Sequence, residues 1–332
     1  MSVSSTTDYQ QPHARSRGPL LAVGAAFCFA ISIPLGKWLL GDLSAFTLSG
    51  LLYLGSGLGL TAYRALVRRP LEDPADTPIG QPAAERRRSL IFLIAGIVVG
   101  GVIAPLLLFR GLSSTPAVMA SLLMSLEVVL TALIARPFFH EHVAPRVWAA
   151  LGLMLAAAAM MGWSRSGWTW SAGAIMVALA TLLWALDNNL TREISTFPAS
   201  RIVQLKGLTA GSVNLAIGLM VSGQPPALLR AVVALLLGAV SYGLGLVLFI
   251  GSLRILGSAR TGSYFATAPL IAAVLSVVLF RQAPPLRLAG AFIAVGLAVA
   301  LMVTESHSHE HSHGAEVHSH WHWPDQGHRH EH

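Results

Sequence analysis

Glu127, Asp187 and Lys206 are ionisable side chains set well inside long apolar stretches of the sequence. In hydrocarbon such a group costs roughly 2.5–3.5 kcal/mol or more at the centre of a spanning helix, so each needs a partner, a proton or a water-lined cavity. A carboxyl in that position can take a proton on one side of a barrier and release it on the other, which makes Glu127 the candidate for proton coupling. The competing reading is a structural carboxyl that ties helices together by hydrogen bonds. Asp187 and Lys206 lie at similar depths in consecutive apolar stretches, measured from the same end, so they can pair and the pair can open as a gate. Against this, Lys206 is close enough to the end of its stretch to snorkel to headgroups. Asn188 and Asn189 offer a polar substrate both donors and acceptors. Asn214, Tyr264 and Thr267, with Gln204, Tyr242 and Trp184, are further groups a cavity could use. Tyrosine and tryptophan near helix ends also form interface belts, and Ser or Thr hydroxyls often bond their own helix backbone.

The elements that carry these residues follow from composition. The chain has 332 residues, 54% apolar and only 11% charged, against roughly 25% charged for soluble domains. Apolar runs near 20–40, 44–67, 90–109, 116–135, 145–163, 172–190, 202–221, 231–250, 261–280 and 286–302 are each about the length that crosses a bilayer. Their continuous apolarity, without period-2 alternation, calls for helices rather than barrel strands. The expected fold is an all-α integral membrane protein of ten transmembrane helices. The net charge of +7 does not point to nucleic acid, because the basic residues lie between apolar runs. Lys37, Arg110, Arg165, Arg230, Arg281 and Arg287 fall in odd-numbered loops and Lys206 within a span. The rest fall at the termini and in even-numbered loops, most densely at Arg64, Arg68, Arg69, Arg86, Arg87 and Arg88. Positive residues stay on the cytoplasmic side, so both termini are expected there. The single cysteine, Cys28, allows neither an intrachain disulfide nor a cysteine metal cluster.

A shift of 155 residues lays Gly18–Lys37 over Gly173–Arg192, matching Ala30 with Ala185. A shift of 142 lays Ala117 on Ala259, Ser121 on Ser263, Ser125 on Thr267 and Phe138 on Phe280. Two halves of five crossings each must be inverted with respect to one another, the plan of many secondary transporters. The alternative is that apolar helices resemble each other by composition alone. The expected organisation is a cytoplasmic segment 1–17, five-helix repeats at 18–163 and 168–304, and a tail at 305–332. Pro34, Pro105 and Pro269 remove backbone hydrogen bonds inside spans and are candidate kinks. Gly55 with Gly59, Gly96 with Gly100, and Gly207 with Gly211 fit close helix packing.

Ser125-Leu126-Glu127, the stretch Trp184 to Arg192, Lys206-Gly207-Leu208 and the stretch Arg260 to Pro269 are the most telling residues of a likeness running from Gly18 to Thr304. The chain resembles the EamA family of the drug/metabolite transporter superfamily, in a subgroup with a His-rich tail. The resemblance implies ten helices, a central cavity between the halves and movement of small metabolites, often outward, in a bacterial inner membrane. Where the family usually carries Glu after the fourth and ninth spans, this chain has Glu141 in the first half and Gln282 in the second.

The tail holds His307, His309, His311, His313, His318, His320, His322, His328, His330 and His332. Imidazoles alternating along an extended strand are ligands for zinc, nickel, copper or cobalt, and the same composition also makes a solvated terminus or a proton buffer. No nucleotide-phosphate loop, Gly-x-Ser-x-Gly or His-Glu-x-x-His occurs, so no enzyme and no resident cofactor are expected. The expected function is secondary active transport, with export favoured, of a small organic metabolite or drug by alternating access, coupled to protons. The alternative is a divalent-metal transporter or metal-sensing permease that uses the tail. The expected partners are a small-molecule substrate and the lipid bilayer; a homodimer is left open.

Overall fold

The computed structural model describes residues 12–67, 82–139, 145–164, 167–168, 170–194, 197–256, 261, 264–281, 286–303, 310–313 and 316–319. The first apolar stretch forms α1 (Pro12–Ala30) and α2 (Ser32–Leu39), broken at Ile31. Pro34 has no N–H to offer the Ala30 carbonyl, which accounts for the break. α3 (Ala45–Val67) is continuous. The third stretch runs as α4 (Ala83–Gly96), a π-helical segment (Ile97–Ile103) and α5 (Ala104–Ser114). The fourth is α6 (Ala117–Met124) and α7 (Leu126–Phe139), interrupted at Ser125. Then follow α8 (Pro145–Gly162), α9 (Ala172–Arg192) and α10 (Ala199–Ser222). The eighth stretch is α11 (Leu228–Gly238), a second π-helical segment (Ala239–Leu244) and α12 (Gly245–Leu256). α13 (Ala268–Phe280) and α14 (Leu286–Val303) follow. Two short antiparallel ribbons pair Trp163–Ser164 with Gly167–Trp168, and Glu310–His313 with Glu316–Ser319.

Among the described residues six helices are long and apolar enough to cross a membrane, and four more apolar helices are shorter. Large apolar side chains such as Leu20, Ile91, Leu229, Leu286 and Ile293 are exposed around the outside, where only lipid would accept so much apolar surface. This is a multi-pass, helical membrane protein. Hydropathy starts the third span near residue 90, but the helix begins at Ala83. Arg86, Arg87 and Arg88 are polar yet good helix formers, so the backbone continues past the apolar limit.

The two π segments are 142 residues apart, so that Gly96 corresponds to Gly238 and Gly101 to Gly243. Packing follows the same correspondence. α3 packs on α10 and α8 on α14; α1 packs on α12 as α5 packs on α9. The first π segment lies against α10 and α9, the second against α3 and α1. α3 and α10 run antiparallel, since Gly57 meets Leu208, Gly211 meets Leu54 and Gly218 meets Thr47. Their backbones come so close that a Cβ on Gly207 would lie 2.8 Å from the Gly57 nitrogen. Gly55 and Gly59 meet Leu235 and Ala239. These glycines do the packing expected of them. Gly238 is as tight as Gly55, since a Cβ on either would collide with a backbone carbonyl oxygen, that of Leu52 for Gly238. Gly238→Ala is therefore expected to cost about 1–3 kcal/mol through overpacking against backbone that cannot move aside, read as a lowered melting temperature in detergent.

Candidate functional site

The first π segment sets up the site. In π register the Ala104 N–H reaches the Val99 carbonyl, and the next donor in line, for the Gly100 carbonyl, would be residue 105. That residue is Pro105, which has no N–H. Side chains supply the missing donors: Tyr53 Oη at 2.8 Å and Trp184 Nε1 at 3.0 Å both donate to the Gly100 oxygen. Asn214 Nδ2 donates to the Gly101 oxygen at 3.1 Å. The Gly100 carbonyl freed by proline thus draws α3 and α9 onto one point, and the Gly101 carbonyl beside it binds α10.

Asp187 occupies the space next to it. A Cβ on Gly100 would collide with its carboxylate, and one on Gly96 would lie 2.7 Å from Oδ1. Lys206 Nζ donates to both carboxylate oxygens at 2.6 Å. Thr191 Oγ1 donates to Oδ1 at 3.2 Å. Only 9% of the Asp187 side chain and 12% of the Lys206 side chain are exposed, so Lys206 is buried against its partner rather than snorkelling. The pairing read from sequence depth is present.

One residue further along α9, the contacts change helix. Asn188 Nδ2 donates to Glu127 Oε1 at 3.0 Å and to Thr131 Oγ1 at 3.3 Å. Asn189 Nδ2 bonds the Thr131 carbonyl at 3.1 Å and the Ala185 carbonyl at 2.8 Å. Glu127 is half-buried, Asn188 exposed and Asn189 buried. Glu127 thus points across to α9, within electrostatic range of Asp187, Tyr53 and Tyr242. Among the described residues its partner is a neutral amide, whereas Asp187 has a cation. The aromatic neighbours form a run: Tyr53 and Tyr242 rings are 5.8 Å apart, Tyr242 and Phe29 5.4 Å, and Phe29 and Phe265 5.0 Å. Acid, amides and ring faces in one place can hold a small organic solute by hydrogen bonds and stacking.

Not every expected residue joins this cluster. Thr267 Oγ1 donates to the Tyr264 carbonyl at 2.7 Å, back-bonding to its own chain, and no described hydrogen bond links Tyr264 or Thr267 to Glu127 or Asp187. Gln204 serves elsewhere. Its Oε1 accepts from Arg64 at 3.0 Å and Arg201 at 2.9 Å, and its Nε2 donates to Thr61 at 2.7 Å, a polar girdle between α3 and α10. Tyr53, Thr131, Thr191 and Gly100 were missed. A tyrosine or threonine in a span carries no charge to draw notice, and Gly96 with Gly100 reads as a packing pair.

Arg68, Arg69, Glu141, Gln282, His307, His309, His320, His322, His328, His330 and His332 lie outside the described residues. His311, His313 and His318 are placed by backbone alone, in the second ribbon. Among the described residues no three His, Cys, Asp or Glu side chains gather as metal ligands.

Comparison with known proteins bears on this arrangement. The EamA-like transporter family matches residues 16–163 and again 171–304. An uncharacterized transporter of Methanothermobacter thermautotrophicus is 24% identical over 275 residues, 80% of this chain and 80% of that protein. One solved crystal structure shares the fold with a TM-score of 0.57, covering 86% of this chain and 96% of the other at 19% identity. With the family pattern matching twice and covering most of the sequence, the chain belongs to the EamA-like transporter family.

Proposed function

We propose that this protein is a secondary active transporter that exports a small organic metabolite or drug by alternating access, with proton movement through Glu127. In this reading the chain crosses the inner membrane ten times, as two inverted five-helix repeats at 18–163 and 168–304, with both termini in the cytoplasm. Charge balance at the centre carries the proposal. Asp187 is neutralised by Lys206, while the described partner of Glu127 is the neutral amide of Asn188. A carboxyl in that setting is free to exchange a proton as access alternates. The exchange of packing partners between halves supports inverted repeats, because opposed halves can rock about a shared centre.

The experiment is a screen of organic solutes and divalent metals in proteoliposomes, with the full chain and with residues 305–332 deleted. Organic transport driven by a pH gradient and unchanged by the deletion is expected. Metal flux that disappears with the tail would instead favour the divalent-metal reading, for which the tail's imidazoles are the ligands.

A further inference from the structure

α2 is a separate short helix, set off from α1 at Ile31 and carrying Pro34. It belongs to the first half but packs on α5, α6, α11 and α13. Its last turn holds Lys37, whose Nζ donates to the Leu112 carbonyl and, at 2.9 Å, to the Ser113 carbonyl. Those are carbonyls of the last turn of α5, which lack helical donors and carry the negative end of the helix dipole. One turn in, Gly36 lies on the fully buried Phe109 of α5, so that a Cβ there would come 2.9 Å from the ring. All of this lies at the end of the bundle away from the polar girdle of Arg64 and from the Arg88–Glu193 ion pair at 2.6 Å.

We propose that Lys37 is the latch of a gate at this end of the transporter: its ammonium on the carboxyl end of α5 holds α2 across the route from the central site, and α2 swings at Ile31 and Pro34 when the route opens. The proposal rests on the alternating-access reading. The latch suits repeated opening, because an ammonium on main-chain carbonyls lets go without leaving a buried charge unpaired; the Arg230–Asp42 ion pair at 2.7 Å and the Arg230–Trp38 contact at the same end of α2 would part with it, and both charged groups are exposed enough for water to take over. α2 is also joined to α1 through a break, so its motion need not disturb the long contact between α1 and α12.

The test uses the full chain in oriented vesicles, with Cys28→Ser removing the native thiol and Asn188→Cys reporting access to the central site. A membrane-impermeant maleimide is applied from the Lys37 side or from the opposite side. In this background, labelling from the opposite side is expected to dominate. Lys37→Gln should raise the rate from the Lys37 side by roughly two- to thirty-fold, the range for losing a cation at a helix carboxyl end. Lys37→Arg, which keeps donors on the carbonyls, should leave it near the starting rate. Gly36→Leu, which wedges α2 off Phe109 without altering charge, should raise it as Lys37→Gln does. Sidedness in the starting protein with no response to either Lys37→Gln or Gly36→Leu overturns the latch and leaves alternating access standing. Equal labelling from both sides in the starting protein overturns both.

Discussion

Lys206→Ala is expected to destabilise the folded bundle by about 3–5 kcal/mol, the usual consequence of removing one member of a buried ion pair and leaving the other charge without compensation. The structure leaves Asp187 nowhere to turn. Its carboxylate is pressed on Gly100 and Gly96, and its remaining donor among the described residues is Thr191 Oγ1 at 3.2 Å. The loss should appear as a large fall in melting temperature and in folded yield from detergent. Neutralising both partners, with Asp187→Asn and Lys206→Met, should restore most of the stability, since a buried pair replaced by neutral groups of similar volume is often no less stable. Exchanging the two charges is the poorer test, because a lysine at 187 would have to fit where even a Cβ on Gly100 meets Asp187. The neutral double variant separates two roles for the pair. If it opens and closes as a gate, this protein folds but transports slowly; if it folds and transports at the parent rate, the pair is structural alone.

The sequence made this pair legible because charge is rare in a span and the depths of Asp187 and Lys206 can be counted from the adjoining loop. Glu127 was legible for the same reason, and Asn188 by its place beside Asp187. The centre on which they converge was not. α- and π-helix draw on the same apolar residues, so nothing in Ile97–Ile103 announces a change of register. Pro105 was read as a kink, but its effect is to free the Gly100 carbonyl for Tyr53 and Trp184. Gly96 and Gly100 read as helix packing, and the side chain on α9 for which they make room is a carboxylate. Thr267 Oγ1 bonds the Tyr264 carbonyl for a reason stated by general chemistry: a threonine hydroxyl finds its own helix backbone before it finds a partner across the bundle. The repeats were faint in residue identities, which turn over freely among apolar side chains. They are plainer in the backbone, where both π segments fall at the same offset.

Glu127→Gln is expected to abolish the response of transport to a pH gradient while leaving exchange of substrate without a gradient largely intact. The substitution keeps the shape and an acceptor oxygen for Asn188 Nδ2, now at 3.0 Å from Glu127 Oε1, so the contact between α7 and α9 should persist. What it removes is the capacity to bind and release a proton. Glu127→Asp makes the complementary change. It keeps the acid but shortens its reach by one methylene, away from Asn188, and loss of a hydrogen bond to a charged group of about 1.5–3 kcal/mol would slow coupled transport roughly ten- to a hundred-fold without uncoupling it. Asn188→Ala should behave like Glu127→Asp, because it withdraws the same bond from the other side. The measurement is accumulation in proteoliposomes with and without an imposed pH gradient. Should Glu127→Gln keep its full response, the proton route would have to run through Asp187, the other carboxylate at the site. Coupling would then depend on the Lys206 pair opening in every cycle, and the neutral double variant would lose the gradient response as well.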